Sequence, residues 1–164
     1  MKYWFDIEFH DDGDHVALIS IGVVAEDGRQ YYAASADYDR GLADRWLQDH
    51  VLPLLDGVPL KTREALREEL LAFFQVGGMP SAFWADVGEY DWVVLRQLFG
   101  PITTWPDGWP HLCMDVEQWR QTLGAPASPF PMTSLVPHDA LQDAIAMRER
   151  WRWLCTQPSR VPPC

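Results

Sequence analysis

Four carboxylates and one imidazole stand at spacings that suit chemistry. Asp6 and Glu8 lie two apart in the opening run MKYWFDIEF. On an extended strand alternate side chains share a face, so both carboxylates point one way and Ile7 the other. Asp91 closes Gly88-Glu89-Tyr90-Asp91, just after the apolar run SAFWA, at the carboxyl end of a strand where α/β sheets hold ligands. His138 and Asp143 are five apart in HDALQD, more than one helical turn, and aim at one point if His138 lies just ahead of a helix that begins with Asp143's turn. Like charges in apolar surroundings are costly unless paired or bound to a cation. Hard divalent cations take carboxylate oxygens and water, and imidazole, with an ordinary pKa of about 6.5, is a general base suited to neutral pH. The chemistry these residue types suit is hydrolysis by a divalent metal and a histidine base.

Each group also has an ordinary structural explanation. Asp6 and Glu8 fit the wet face of an edge strand. Asp91 fits the first turn of a helix, and His138 or Asp139 a helix start, where acidic side chains meet the positive end of the helix dipole. Asp86, five residues before Asp91, competes for any role given to Asp91.

The elements that must position these groups follow from periodicity. Residues 1–9 form an aromatic strand, and 10–14 a polar turn around Gly13. Residues 16–25 (VALISIGVVA) read as a strand buried on both faces. The Asp27-Gly28 hairpin signal then returns the chain through a strand at 30–35. Helices are expected at 39–50, with Leu42, Trp46 and Leu47 on one side, and at 61–75. The latter has Thr62 as cap and Leu66, Leu70, Phe73 and Phe74 as its apolar stripe. A strand at 81–85, a helix at 90–99, a proline-rich loop at 101–110, a strand at 111–114 and a helix at 115–123 come next. Residues 125–137 are irregular, 138–154 form the last helix, and 156–164 are a proline-rich flexible tail. Three antiparallel strands followed by helices alternating with strands imply an α/β domain with a mixed sheet flanked by helices.

With 48% apolar residues and nine tryptophans in 164 residues, there is material for one well-filled core. No apolar run reaches the ~20 residues a membrane span needs. The start lacks a signal peptide's apolar region, so no membrane association and a cytoplasmic location are expected. Cys113, Cys155 and Cys164 fit neither a disulfide framework nor a zinc pattern and read as reduced thiols. The net charge of −11 argues against broad electrostatic binding of nucleic acid, though bound cations reverse the sign locally. Trp46, Trp92, Trp119, Trp151 and Trp153 are assigned to helix faces in the core or an interface. Trp105 and Trp109, in the loop, cover substrate or a partner subunit. Arg148, Arg150 and Arg152 are the densest basic cluster and are read as a solvated helix face, with phosphate contact as the alternative.

The ordered set DIEF, LISIGVVAEDGRQYYA, WADVGEYDWVVLRQLFGP and PHDALQDA resembles the histidine-containing branch of the DEDD exonuclease superfamily. It is similar in particular to the small 3′-to-5′ exoribonucleases of mycobacterial type. The resemblance runs to about residue 154 and is weakest at 51–60 and 101–135. It implies an RNase-H-like fold and a single exonuclease domain at 1–155. It also implies hydrolysis of the terminal phosphodiester to release nucleoside 5′-monophosphates, with two Mg²⁺ or Mn²⁺ ions per site. On that pattern Asp6, Glu8, Asp91 and Asp143 hold metal, and His138 is the general base. Phe9 and His10 supply backbone N–H groups to the 3′ terminus. Phe9 either stacks on the last base or belongs to the core; Ser20 lines the sugar pocket, and Tyr90 lies near the second motif. Tyr90 and Trp84 are read first as core residues. RNA 3′ ends are the expected partner, and a homodimer the expected assembly. Two alternatives remain open at this level: a 3′-to-5′ exodeoxyribonuclease acting on DNA ends, and a non-enzymatic acidic interaction module.

Overall fold

The aromatic and β-branched residues at the chain start build the middle of a six-stranded sheet. The structure, a computed structural model, describes residues 1–126, 134 and 136–158. Strand β1 (Lys2–Asp11) pairs antiparallel with β2 (Val16–Ala25), which pairs antiparallel with β3 (Gln30–Ser35). The short β4 (Leu60–Lys61), with β5 (Ala82–Ala85) and β6 (Cys113–Asp115), runs parallel to its neighbours, giving the order β4-β3-β2-β1-β5-β6. β1 is therefore a central strand, with a neighbour on both sides over Lys2–Trp4.

The pairing of β1 with β5 covers only Lys2 to Trp4. β1 runs on past the end of β5, so from Phe5 onward one of its edges has no strand neighbour in the ladder. That step in the sheet is where a cleft opens.

Helices α1 (Arg45–His50), α2 (Arg63–Gln75), α3 (Glu89–Leu98), α4 (Val116–Thr122) and α5 (Ala140–Cys155) flank the sheet. On one face, Tyr3, Phe5 and Ile7 of β1 meet Leu66, Leu70 and Phe74 of α2 and Val94, Leu95 and Leu98 of α3. The Tyr3 hydroxyl donates to the Phe74 carbonyl at 2.8 Å, fixing the end of α2 to the sheet. On the other face Trp4 and Trp84 pack under Val116 of α4 and Met147 and Leu154 of α5. Among the described residues no helix is long and apolar enough to cross a membrane.

Several expectations need correction. The span 39–50 is not one helix. A 3-10 turn at Arg40–Leu42 and the separate α1 are each started by an aspartate cap, Asp39 and Asp44. Two local caps outweigh one continuous pattern, and of Leu42, Trp46 and Leu47 only Leu47 is buried. Lys61 belongs to β4; Thr62 caps α2 as expected, accepting from the Ala65 N–H. α4 and α5 begin one and two residues later than expected, because Asp115 and Asp139 are their caps and not their first turns. Trp105 and Trp109 cover neither substrate nor partner. They are buried at 6% and 4% exposure, ring to edge with each other at 5.4 Å and against Phe99 and Phe83. Cys113 and Cys155 are free thiols. Cys164, most of the irregular stretch expected at 125–137 (residues 127–133 and 135) and residues 159–164 of the expected tail lie outside the described residues.

Gly22 brings α5 down onto the sheet. It stands opposite Asp6 in the β1–β2 register. A Cβ placed on it would meet the Ala140 carbonyl and the Leu141 nitrogen at 2.3 Å. Those are backbone atoms of the first turn of α5 and cannot swing away. Gly22→Ala is expected to cost about 1–3 kcal/mol or more through overpacking and to push the start of α5 off the sheet. Thermal unfolding should therefore fall, and activity should fall with it by more than the folded fraction lost, because ~1 Å of displacement at a reacting group costs about a hundredfold.

Candidate active site

The step between β1 and β5 collects the carboxylates. Asp6 and Glu8 leave β1 on the α5 side, and Asp143 descends from the first turn of α5 above Gly22. Ligand oxygens from Asp6, Glu8 and Asp143 all lie within 4.8 Å of one another. Asp91, in the first turn of α3, comes from the other side and is 6% exposed. Its carboxylate takes the Ile7 backbone N–H, on the edge of β1 that β5 leaves unpaired. These groups line a cleft of about 400 Å³ with His138, Phe9 and Tyr90. A smaller cavity of about 240 Å³, lined by Tyr38, Arg63 and Gln97, gathers no comparable cluster.

The cluster is electrostatically unfavourable as it stands. Burial, then the charges of Asp91, Glu8, Asp143 and Asp86, hold the Asp6 carboxyl well above the ordinary range. Burial and the Asp143 charge push Glu8 to about 7. Burial and the Glu8 charge push Asp91 to about 8, against the pull of the Ile7 N–H. Asp143 is raised by burial, offset by the Ser134 hydroxyl and the His138 backbone N–H. Carboxylates packed this closely want a positive charge, and hard oxygen donors are what Mg²⁺ and Mn²⁺ prefer. The donor set fits divalent cations held by Asp6, Glu8, Asp91 and Asp143.

His138 lies in the turn before α5, not on it, with φ at 68°. Its backbone N–H donates to Asp143 Oδ2 at 2.8 Å, tying the turn to that carboxylate. Its ring meets the edge of Trp46 at 4.8 Å between centroids, and Trp46 stacks on His50 at 5.1 Å. The exposed face of α1 thus walls the imidazole. Val87, at φ 54°, is the other non-glycine residue with a left-handed backbone among the described residues, and it too lines the cleft. Such backbone costs of order 1–3 kcal/mol and collects at functional sites.

The remaining site residues fall out unevenly. Phe9 lines the cleft and stacks on Tyr90 at 5.4 Å, the rings 15° from parallel. Tyr90 is 49% exposed and is not a core residue; Trp84 is buried, as read. Ser20 does not line a sugar pocket. It faces the same side as Glu8, opposite it in register, and is fully buried beneath the start of α5 beside Tyr32. The His10 ring packs edge-on to Tyr38 at 5.9 Å and is not among the groups lining the cleft. A register shift at Glu8/Phe9, with Ile19 as the extra residue on β2, bends the ladder beside the site. Three cleft residues, Val87, Met147 and Arg150, are not among the site residues read from the sequence. Arg150, placed on a solvated face, lines the cleft and pairs with Asp86. Val87 has a side chain that carries no chemical signal.

The family model described as the 3′-5′ exoribonuclease Rv2179c-like domain matches residues 1–155. The chain is 42% identical over 156 residues to the 3′-5′ exoribonuclease Rv2179c of Mycobacterium tuberculosis (strain ATCC 25618 / H37Rv), covering 93% of this chain and 92% of that protein. The same figures hold for the 3′-5′ exoribonuclease MT2234.1 of strain CDC 1551 / Oshkosh. A chain of a solved structure titled "Structure of yeast NOT1 MIF4G domain co-crystallized with CAF1" superposes with a TM-score of 0.50 at 10% identity, over 93% of this chain and 79% of that one. That likeness concerns the fold alone. The mixed six-stranded sheet with flanking helices is the RNase-H-like arrangement expected.

Proposed function

The chain belongs to the 3′-5′ exoribonuclease Rv2179c-like domain family, and from that premise we propose that its acidic cleft removes nucleoside 5′-monophosphates from RNA 3′ ends with two divalent cations and His138 as general base. The convergence of Asp6, Glu8 and Asp143 within 4.8 Å carries this reading. Two Mg²⁺ or Mn²⁺ ions in that donor set would stabilise the attacking and leaving oxygens of the terminal phosphodiester.

The chain's own residues supply the rest. The His138 imidazole takes the proton from the attacking water. Its left-handed backbone and N–H bond to Asp143 hold it at the mouth of the carboxylate cluster. The Phe9–Tyr90 stack offers an aromatic wall to the last base, a sequence-tolerant contact that suits an enzyme moving along a strand. Successive N–H groups on a strand point to opposite edges. The Phe9 N–H therefore shares the open edge used by the Ile7 N–H, whereas that of His10 faces β2. This supports Phe9, and not His10, as the backbone donor to the 3′ terminus.

Choice of RNA over DNA rests on contacts to the 2′-hydroxyl. Matched RNA and DNA oligonucleotides, digested side by side with Mn²⁺, should show the RNA trimmed at least about tenfold faster, one good hydrogen bond being worth that much. Equal rates, or faster DNA loss, would move the substrate assignment to DNA ends. A second copy of the chain, as a homodimer, would find apolar surface where Val93 and Ile102 are exposed around one shallow depression. Mass in solution tests it.

A further inference from the structure

Asp143, Met147 and Arg150 follow one another at helical spacing along the cleft-facing side of α5. Arg150 therefore stands about 10 Å along the helix axis from Asp143. Five carboxylates line the cleft, and Arg150 is the single arginine or lysine among the described residues that does so. Its neighbours are committed elsewhere: Arg148 and Arg152 both pair with Glu149. Arg150 pairs instead with Asp86, immediately beyond β5, and the two side chains keep 24% and 29% exposure. A net charge of −11 gives a polyanion little long-range attraction, so a cation set inside the acidic cleft bears directly on how a strand is held there.

We propose that Arg150 binds a phosphate of the substrate strand other than the scissile one, with Asp86 holding the guanidinium aimed into the cleft until the strand arrives. The inference rests on the exoribonuclease reading of the same cleft. A guanidinium presents five N–H donors in a planar fork, enough to meet a carboxylate on one side and a phosphate on another. Two helical turns of backbone separate Arg150 from Asp143, and a kcat that survives Arg150→Ala marks the phosphate it meets as one other than the scissile phosphate. The pairing also resolves the rivalry between Asp86 and Asp91. Asp86 is engaged by Arg150, while Asp91 faces the cluster.

The test is steady-state kinetics on a single-stranded tetraribonucleotide with Mn²⁺, across a range of salt, with the fold of each variant checked by thermal melting. Arg150→Ala should raise KM about tenfold while kcat falls by less than about threefold. The slope of log KM against log salt should drop by about 0.7, the loss of one phosphate contact on a single strand. Arg150→Lys should recover part of both. Asp86→Asn, which releases the guanidinium to the phosphate, should lower KM about twofold. If Arg150→Ala melts early, Arg150→Gln, which keeps most of the aliphatic stem, carries the same expectation. The proposal is overturned if KM and its salt slope ignore Arg150. It is also overturned if Asp86→Asn raises KM as Arg150→Ala does, since the pair would then be a clasp between α5 and β5. Failure of the underlying reading looks different: the wild-type protein itself would leave the tetranucleotide intact.

Discussion

Asp91→Asn is expected to make the metal-free protein more stable above pH 8 while lowering RNA hydrolysis by about 10³-fold. Asp91 is 6% exposed and its carboxyl is pushed to about 8 by burial and by the Glu8 charge. A carboxyl whose folded pKa lies above its unfolded value contributes stability that is fully present below about pH 4. That stability is lost as pH rises through the folded value. With Glu8 at about 7 and Asp91 at about 8, the metal-free protein should weaken steadily between about pH 4 and pH 8. Asparagine keeps the shape and the acceptor for the Ile7 N–H but carries no charge. In chelator above pH 8 the gain should be on the order of 2 kcal/mol, or roughly 4–8 °C in the unfolding midpoint of a domain this size. Near pH 4 the gain should vanish, because the aspartic acid is already neutral there. Saturating Mn²⁺ should reverse the order, since the wild type gains more from binding. Calorimetric scans across pH, with and without Mn²⁺, check all three statements. A destabilised Asp91→Asn in chelator above pH 8 would show that the carboxylates are held by something other than a cation.

The second large effect concerns His138. His138→Asn should reduce kcat by about 10²–10⁴-fold, the contribution of a positioned general base, with little loss of stability. Asparagine tolerates left-handed backbone better than most residues, so the turn at φ 68° and the N–H bond to Asp143 should survive. Mn²⁺ affinity, measured by calorimetric titration, should stay within about threefold of wild type, because on the proposed reading the four carboxylates, and not His138, hold the metal. A large loss of Mn²⁺ affinity would make His138 a ligand or a support of the metal site and not its base.

Much of this was legible in the residues, for identifiable reasons. β2 and β3 were bounded by Asp27-Gly28 and by unbroken β-branched and aromatic runs, and their limits match the structure residue for residue. Asp6 and Glu8 share a face because the period of a strand is two, and they meet Asp143 because Gly22 lets α5 descend. What was illegible depends on tertiary placement. Nothing local says that β1 outruns β5, yet that step creates the cleft and gives Asp91 its partner at Ile7. A serine two residues from Gly22 reads the same whether it faces a cleft or the underside of a helix, and Ser20 is the latter. Trp105 and Trp109 sit in a proline-rich stretch that suggests exposure. They are buried because the loop folds back over Phe83 and Phe99. Arg150 is one of three arginines at alternate positions on α5, and only the rotation of that helix on the sheet selects it for the cleft.

On the proposed reading, this acidic cleft trims RNA from its 3′ end only when it holds divalent cations. The direct measurement follows a 5′-labelled single-stranded RNA over time with Mn²⁺, with chelator, and with Asp143→Asn in place of the wild type. A ladder of products shortening one nucleotide at a time and release of nucleoside 5′-monophosphates are the expected results. Both should be absent in chelator, and the variant should be at least about 10³-fold slower. Intact RNA with metal-loaded wild-type protein, or trimming that persists in chelator or in Asp143→Asn, would contradict it.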